Sequence, residues 1–204
     1  NDKAILGVPY EGKATISYSK RTVLYKDKSS AELFVPNYAF HSLSFGPLNS
    51  NTKFSGRVAP AVFGLGLIEA IKAEDILRNE DILDLDKDSI SGRANFVNDV
   101  PSNNKMLGKF GWKANRATLL HHVAGAASQD MGLTSSFFPE QNCMVIQKEC
   151  SNQISGGSPE ISEKQINMLK LYMQTLAVPR QRNTQDKDVI EGGLLFTKIG
   201  CESC

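Results

Sequence analysis

Long apolar runs and an excess of charge of either sign are both missing from this sequence. Its 204 residues include 23 basic and 22 acidic side chains, a net charge of +1, which gives no electrostatic case for nucleic-acid binding. No stretch reaches the ~20 apolar residues of a membrane-spanning helix, and the chain does not open on a signal-peptide pattern. The 41% hydrophobic and 22% charged content is ordinary for a soluble globular protein.

Complete catalytic signatures are also missing. The sequence has no phosphate-binding loop, no nucleophile elbow and no Ser-His-Asp order. It begins at Asn1 without an initiator Met, and we therefore expect a fragment of a longer protein. The missing signal peptide then carries little weight.

The first part of the chain predicts strands and the rest predicts helices. Residues 13–45 are rich in Ile, Tyr, Thr and Val, which indicates one or two β-hairpins. "RVAPAVFGLGLIEAI" predicts an apolar helix with Pro60 in its first turn, and Gly64 and Gly66 indicate a closely packed neighbour. Helical spacing recurs in three later segments, 115–130, 162–178 and 187–198. We expect a mainly α fold with an N-terminal β-hairpin region (α+β).

The segment 162–178 carries the clearest helix signals. Ser162 and Gln165 predict a capping box at its start, and Pro179 follows its end. Its apolar side chains predict a buried stripe, formed by Ile166, Leu169, Met173 and Leu176.

The four cysteines form two local pairs. Cys143 and Cys150 lie in the polar stretch "QNCMVIQKECSNQ", where a disulfide would close a short loop and would suit an oxidising compartment. Two unpaired thiols are the alternative. No His or second C-x-x-C lies nearby, which argues against a structural zinc site.

The second pair, Cys201 and Cys204, has C-x-x-C spacing and follows the predicted helix at 187–198. C-x-x-C followed by His is the attachment signature of a c-type haem, whereas C-x-x-C alone also suits a redox dithiol or half a zinc site. A dithiol enzyme usually places its first Cys at the start of a helix. Here the helix precedes the cysteines, so haem attachment is favoured and the dithiol is the alternative.

Alternating carboxylates make "DLDKDSISGRANFVND" a candidate calcium loop. Asp84, Asp86 and Asp88 offer the oxygen ligands that Ca²⁺ prefers. The loop departs from an EF-hand, because Ser89 replaces the turn glycine and no Glu closes it. The competing interpretation, a solvated acidic loop, is favoured.

Trp112 and two adjacent histidines are weaker candidates. Trp112 is the only tryptophan, and a packed core aromatic is favoured over an electron relay. His121 and His122 are neighbours on a predicted helix, which turns successive side chains ~100° apart, so they cannot share a face. No Cys or carboxylate stands at ligand spacing beside them.

Several longer motifs together resemble one family. "GVPYEG", "RVAPAVFGLGLIEAI", "DSISGRANFV", "LGKFGWKA", "DMGLTSSFFPE" and "GGLLFTKIGCESC" occur in the order expected of the bacterial di-haem oxidoreductase family. Its members are described as peroxidases, have also been labelled thiol oxidoreductases, and are similar to di-haem cytochrome c peroxidases. The resemblance spans essentially the whole chain.

The resemblance implies two c-type haems in the intact protein, periplasmic location and a small electron-donor cytochrome as partner. The first C-x-x-C-H of the family would precede Asn1. The second corresponds to Cys201 and Cys204, and its axial His would follow Cys204. We therefore expect three regions: a β-hairpin region at 1–56, a helical body between the haem domains at 57–178, and the linker and first helix of the second haem domain at 179–204.

The implied reaction of the intact protein is peroxide reduction or a related oxidation, with Trp112 as the best candidate for a residue near the electron path. We expect the fragment alone to carry no haem and to be inactive. The alternatives are a thiol–disulfide oxidoreductase that uses Cys201 and Cys204, or a non-catalytic structural domain.

Two sites depart from the family pattern. The family usually has Asp-Gly where this chain has Asp88 and Ser89, which weakens the calcium hypothesis. The family often has Gln where this chain has His121 and His122, so no family role transfers to these histidines.

Overall fold

The computed structural model describes residues 9–201, whose contacts divide them into two units. The first unit comprises 9–58 and 143–154, and the second comprises 59–142 and 155–201. The elements of this range are β1 (Lys13–Leu24), β2 (Ser30–His41), α1 (Leu65–Ala70), α2 (Ala73–Leu77), β3 (Phe96–Asp99), β4 (Asn104–Leu107), α3 (Leu119–Gln129), α4 (Lys148–Ser151), α5 (Glu163–Thr175) and α6 (Lys187–Lys198).

The fold-class prediction was wrong in its emphasis. The structure is 27% helical and 18% strand, with six short helices and two two-stranded sheets among the described residues. It is therefore not mainly α, because several predicted helices are short and long irregular segments connect them. The predicted N-terminal hairpin is confirmed.

Residues 143–154 belong to the first unit, although the residues before and after them in the sequence belong to the second. The two units are therefore not consecutive along the chain. The expected regions 1–56, 57–178 and 179–204 concern the haem domains of a longer protein. That division stays a prediction.

A long antiparallel hairpin dominates the first unit. β1 and β2 pair continuously, from Lys13 with His41 to Leu24 with Ser30. Alternation along the strands gives the hairpin one largely apolar face, formed by Ala14, Ile16, Tyr18, Phe34, Pro36, Tyr38 and Phe40. Phe54 packs edge-on against Phe40, with ring centroids 4.8 Å apart. This contact covers one end of the face, whereas Tyr18 and Phe34 stay exposed.

The core of the second unit is built around α3. One cluster of buried apolar residues forms it: Phe110, Leu119, Val123, Ala124, Ala127, Ile161 and Ile166. Small side chains on α3 let α5 pack closely against it. The N terminus of α3 is capped by Thr118, whose Oγ1 accepts a hydrogen bond from the His121 backbone N–H at 3.1 Å.

The predicted capping box of α5 is confirmed. Ser162 Oγ accepts from the Gln165 backbone N–H, and Gln165 Oε1 accepts from the Ser162 backbone N–H at 2.9 Å. The buried stripe of α5 is narrower than predicted. Ile166 is fully buried and Met173 packs against the core, but Leu169 is exposed.

The helix predicted from Pro60 begins only at Leu65. Gly64 has φ of 79°, a left-handed conformation that an α-helix cannot contain. Its N–H donates instead to the Leu176 carbonyl at 2.9 Å. The predicted close packing is confirmed at Gly66, where a Cβ would overlap the carbonyl oxygen of Gln174.

Candidate functional site

The best candidate site lies where α6 meets Cys201. The side chain of Asp186 caps α6 by accepting a hydrogen bond from the Asp188 N–H at 2.9 Å, and the helix has the predicted bounds. Gly200, with φ of 80°, turns the chain after the helix. Cys201 follows as an exposed free cysteine, whereas Cys204 lies outside the described residues.

Most apolar side chains of α6 are also exposed, whereas Val189 is half-buried. The exposed ones are Ile190, Leu194, Leu195 and Phe196, followed by Ile199 directly after the helix, and Leu194 is 68% exposed. Apolar residues at helical spacing normally lie against a core. The helix therefore presents an apolar surface directly before an accessible thiol.

These residues fit a covalently attached haem. A thioether bond to haem would require an accessible thiol, which Cys201 provides. The macrocycle requires apolar side chains that displace water from it, which α6 provides.

The same position suits a redox dithiol less well. Dithiol enzymes stabilise the reactive thiolate at the N terminus of a helix. Cys201 follows the C-terminal end of α6, where the peptide dipoles leave a partial negative charge. The thiol–disulfide alternative for Cys201 and Cys204 stays a prediction.

The acidic loop between α2 and β3 groups two of the three predicted carboxylates, Asp84 and Asp86, with Asp81 in place of Asp88. Oxygen atoms of Asp81, Asp84 and Asp86 lie within 4.8 Å of one another, and Asp88 does not belong to this group of described residues. The loop's own backbone uses the carboxylates, as where Asp81 accepts from the Leu85 N–H at 2.8 Å. Such bonds are typical of a solvated turn, and calcium binding stays a prediction.

Trp112 is 57% exposed and follows Gly111, which has φ of 81° in a turn. The interpretation of Trp112 as a packed core aromatic was therefore wrong, because this turn carries the ring to the surface. A role near an electron path stays a prediction.

A buried polar cluster at the start of α3 was missed in the sequence. His121 is 4% exposed and Asp99 is 1% exposed. Asp99 accepts hydrogen bonds from Thr118 Oγ1 at 2.7 Å and from Ser102 Oγ at 2.8 Å. His121 Nδ1 lies 3.4 Å from Asp99 Oδ1 but makes no hydrogen bond with any residue in 9–201. Thr118, directly before an apolar helical segment, was the available signal.

The pKa values of both histidines of α3 lie below the ordinary value of an imidazole. Burial, and then the Arg116 guanidinium, lower the pKa of His121, and the opposing effect of Asp99 is smaller. Burial and Arg116 also lower the pKa of His122, whose ring stacks on Phe110 at a centroid distance of 5.9 Å. His121 is therefore buried beside Asp99, and His122 is half-buried against Phe110.

Cys143 and Cys150 are joined by a disulfide in the first unit, with Cα atoms 5.9 Å apart. Of the two interpretations that the sequence left open, the structure contains the bonded one. Whether the bond forms in the cell stays a prediction.

The chain matches the model of a family described as "Di-haem oxidoreductase, putative peroxidase" over residues 8–204. No curated protein and no solved structure shows significant similarity to this chain. A match of this extent defines an oxidoreductase of the haem-dependent class. The chain belongs to the di-haem oxidoreductase family, as its motifs predicted. No helix within residues 9–201 is long and apolar enough to cross a membrane.

Proposed function

We propose that this chain is part of a periplasmic, peroxidase-like di-haem oxidoreductase, and that Cys201 and Cys204 attach one of its c-type haems. The observation that carries the proposal is the exposed Cys201 thiol at the end of an exposed apolar helix, in a chain of this family. The Cys143–Cys150 disulfide supports an oxidising compartment.

The residues of this chain would bind and shield the cofactor. The two thiols would hold the haem by covalent bonds, and the apolar side chains of α6 would exclude water from it. The haem, when bound, supplies the redox chemistry that the protein side chains lack. The core around α3 would keep the second unit folded. In the intact protein, peroxide would be reduced with electrons from a small cytochrome.

Covalent haem counting tests this proposal. The full-length gene product, expressed with cytochrome c maturation and assayed as the pyridine haemochrome, should carry two haems per chain. Replacing both terminal cysteines (Cys201→Ala with Cys204→Ala) should remove one haem. The matched control, Cys143→Ser with Cys150→Ser, removes the other cysteine pair and should keep both haems.

Two results would contradict the proposal. A protein without covalent haem, despite competent maturation, would favour the dithiol alternative. An unchanged haem count in the Cys201→Ala, Cys204→Ala variant would show that another site binds both haems.

A further inference from the structure

The disulfide of the first unit closes a short ring, and the side chain of Gln147 joins this ring to the rest of the unit. Gln147, inside the ring, is almost fully buried. Its Nε2 donates to Glu11 Oε1 at 2.6 Å, and its Oε1 accepts from the Met144 N–H at 2.7 Å. The Glu11 carbonyl in turn accepts from the Ser44 N–H at 3.1 Å. The Gln147 amide therefore joins the ring to Glu11, and the Glu11 backbone joins it in turn to the segment around residue 44.

The same ring forms one wall of an apolar groove of about 520 Å³. Met144 and Ile146 of the ring line it, opposite aromatic side chains that include Phe40 and Phe54. All its lining residues belong to the first unit. Val145, between the two ring residues, does not line the groove and is 97% exposed. The ring is thus oriented so that alternate side chains reach the groove.

We propose that the Cys143–Cys150 disulfide is a redox-sensitive restraint that holds one wall of this groove in place. Both cysteines are half-buried, so a thiolate can reach a sulfur atom after a small opening of the loop. One thiolate of a dithiol reductant attacks the sulfur of Cys143 or Cys150 and forms a mixed disulfide with it. The second thiol of the reductant then attacks this mixed disulfide and releases the protein cysteine. The reductant becomes a disulfide, while Cys143 and Cys150 accept two electrons and two protons as thiols.

Reduction removes the covalent restraint within the ring, while the Gln147–Glu11 hydrogen bond still joins the ring to the segment around residue 11. A single hydrogen bond contributes little net stability compared with the closed ring, so the wall formed by Met144 and Ile146 becomes mobile. The groove, whose Phe54 is already 56% exposed, then loses a fixed wall, while the core around α3 in the second unit keeps its structure.

Hydrogen exchange measured by mass spectrometry on the full-length protein, with and without dithiothreitol, tests the proposal. Exchange in residues 10–14 and 43–54 should become roughly tenfold faster on reduction, and exchange in 119–129 should not change. The Cys143→Ser, Cys150→Ser variant should show the fast exchange without reductant. Gln147→Ala should accelerate the same peptides by a smaller factor than reduction does, because the disulfide stays intact, and Val145→Ala is the matched control within the ring.

Three outcomes would overturn the proposal. Peptide mapping under non-reducing conditions could find two free thiols at Cys143 and Cys150. Reduction could leave exchange in 10–14 and 43–54 unchanged. It could also accelerate exchange in 119–129 equally, which would mean that the disulfide stabilises the whole protein and does not control the groove.

Discussion

α3 and α6 are similar in sequence character and opposite in environment. They contain 11 and 12 residues, each is capped by a side chain at its N terminus, and each carries apolar residues at helical spacing. Seven residues of α3 are buried, whereas every residue of α6 keeps part of its surface exposed. An apolar period therefore predicts that a helix face will be covered, but it does not tell whether the same chain covers it. In our account α3 is covered by α5 and α1, and α6 is covered by haem.

Truncation of one leucine in each helix should give the largest contrast. Leu119→Ala should lower the free energy of unfolding by about 2–5 kcal/mol, because Leu119 is fully buried and its loss leaves a cavity. Leu194→Ala should change it by less than about 0.5 kcal/mol in the haem-free chain. Urea unfolding measures both variants, and equal losses would show that α6 is packed as tightly as α3.

Replacing a glycine by alanine should destabilise the packed helix α1 but not the exposed helix α6, by smaller amounts than the leucine truncations. Gly66→Ala should destabilise the fold by about 1–3 kcal/mol, because its Cβ would overlap the Gln174 carbonyl of α5. Gly192→Ala in α6 meets no described atom within 4 Å and should stabilise that helix by up to about 1 kcal/mol. Thermal unfolding and far-UV circular dichroism measure the two effects. A stabilised Gly66→Ala variant would refute the close α1–α5 packing.

Removal of the N-caps separates a buried cap from an exposed one. Thr118→Ala should cost about 2 kcal/mol, since Thr118 Oγ1 both caps α3 and donates to buried Asp99. Asp186→Ala should cost about 0.5–1 kcal/mol, because it removes only the exposed cap of α6. Thr118→Ser keeps the hydroxyl and serves as the control. If Thr118→Ser loses as much stability as Thr118→Ala in urea unfolding, the hydroxyl is not responsible.

We expect the smallest and most gradual effect from pH, because the two histidines of α3 make the free energy of unfolding depend on it. Burial and Arg116 lower the pKa of both His121 and His122 below the value of about 6.5 that they have in the unfolded chain. The unfolded chain therefore binds protons first, so this stabilisation is complete above about pH 6.5 and is lost as the pH falls through the folded-state pKa values. Urea unfolding at several pH values should show the decline, and the double variant His121→Gln, His122→Gln should reduce it. An undiminished slope in that variant would assign the decline to other groups.

Local signals in the sequence predicted local structure well. The capping box fixed the start of α5, and the bounds of α6 followed from its apolar spacing. The helix predicted from Pro60 begins only at Leu65. The apolar spacing does not reveal that Gly64 will adopt positive φ and that its N–H will bond to the Leu176 carbonyl. Backbone geometry set by distant contacts cannot be read from a window of neighbouring residues.

The candidate site was predictable only where its residues are adjacent in sequence. Cys201 and the helix before it were identified together, since spacing alone defines them. The close approach of His121 Nδ1 to Asp99 Oδ1, at 3.4 Å, brings together residues that are far apart in sequence and depends on the tertiary fold. The carboxylate group includes Asp81 and lacks Asp88, in a loop where Asp84, Lys87 and Ser89 all have positive φ. Side-chain direction in such a turn depends on individual φ values.

Hydrogen exchange in α6 of the full-length protein, compared with and without attached haem, tests the central claim most directly. The haem-free state is obtained with the Cys201→Ala, Cys204→Ala variant, and α3 serves as the internal reference. We predict that the α6 amides exchange markedly more slowly when haem is attached, while the α3 amides are unchanged. Equal exchange of α6 in the two proteins would mean that haem does not cover this helix and would contradict the account.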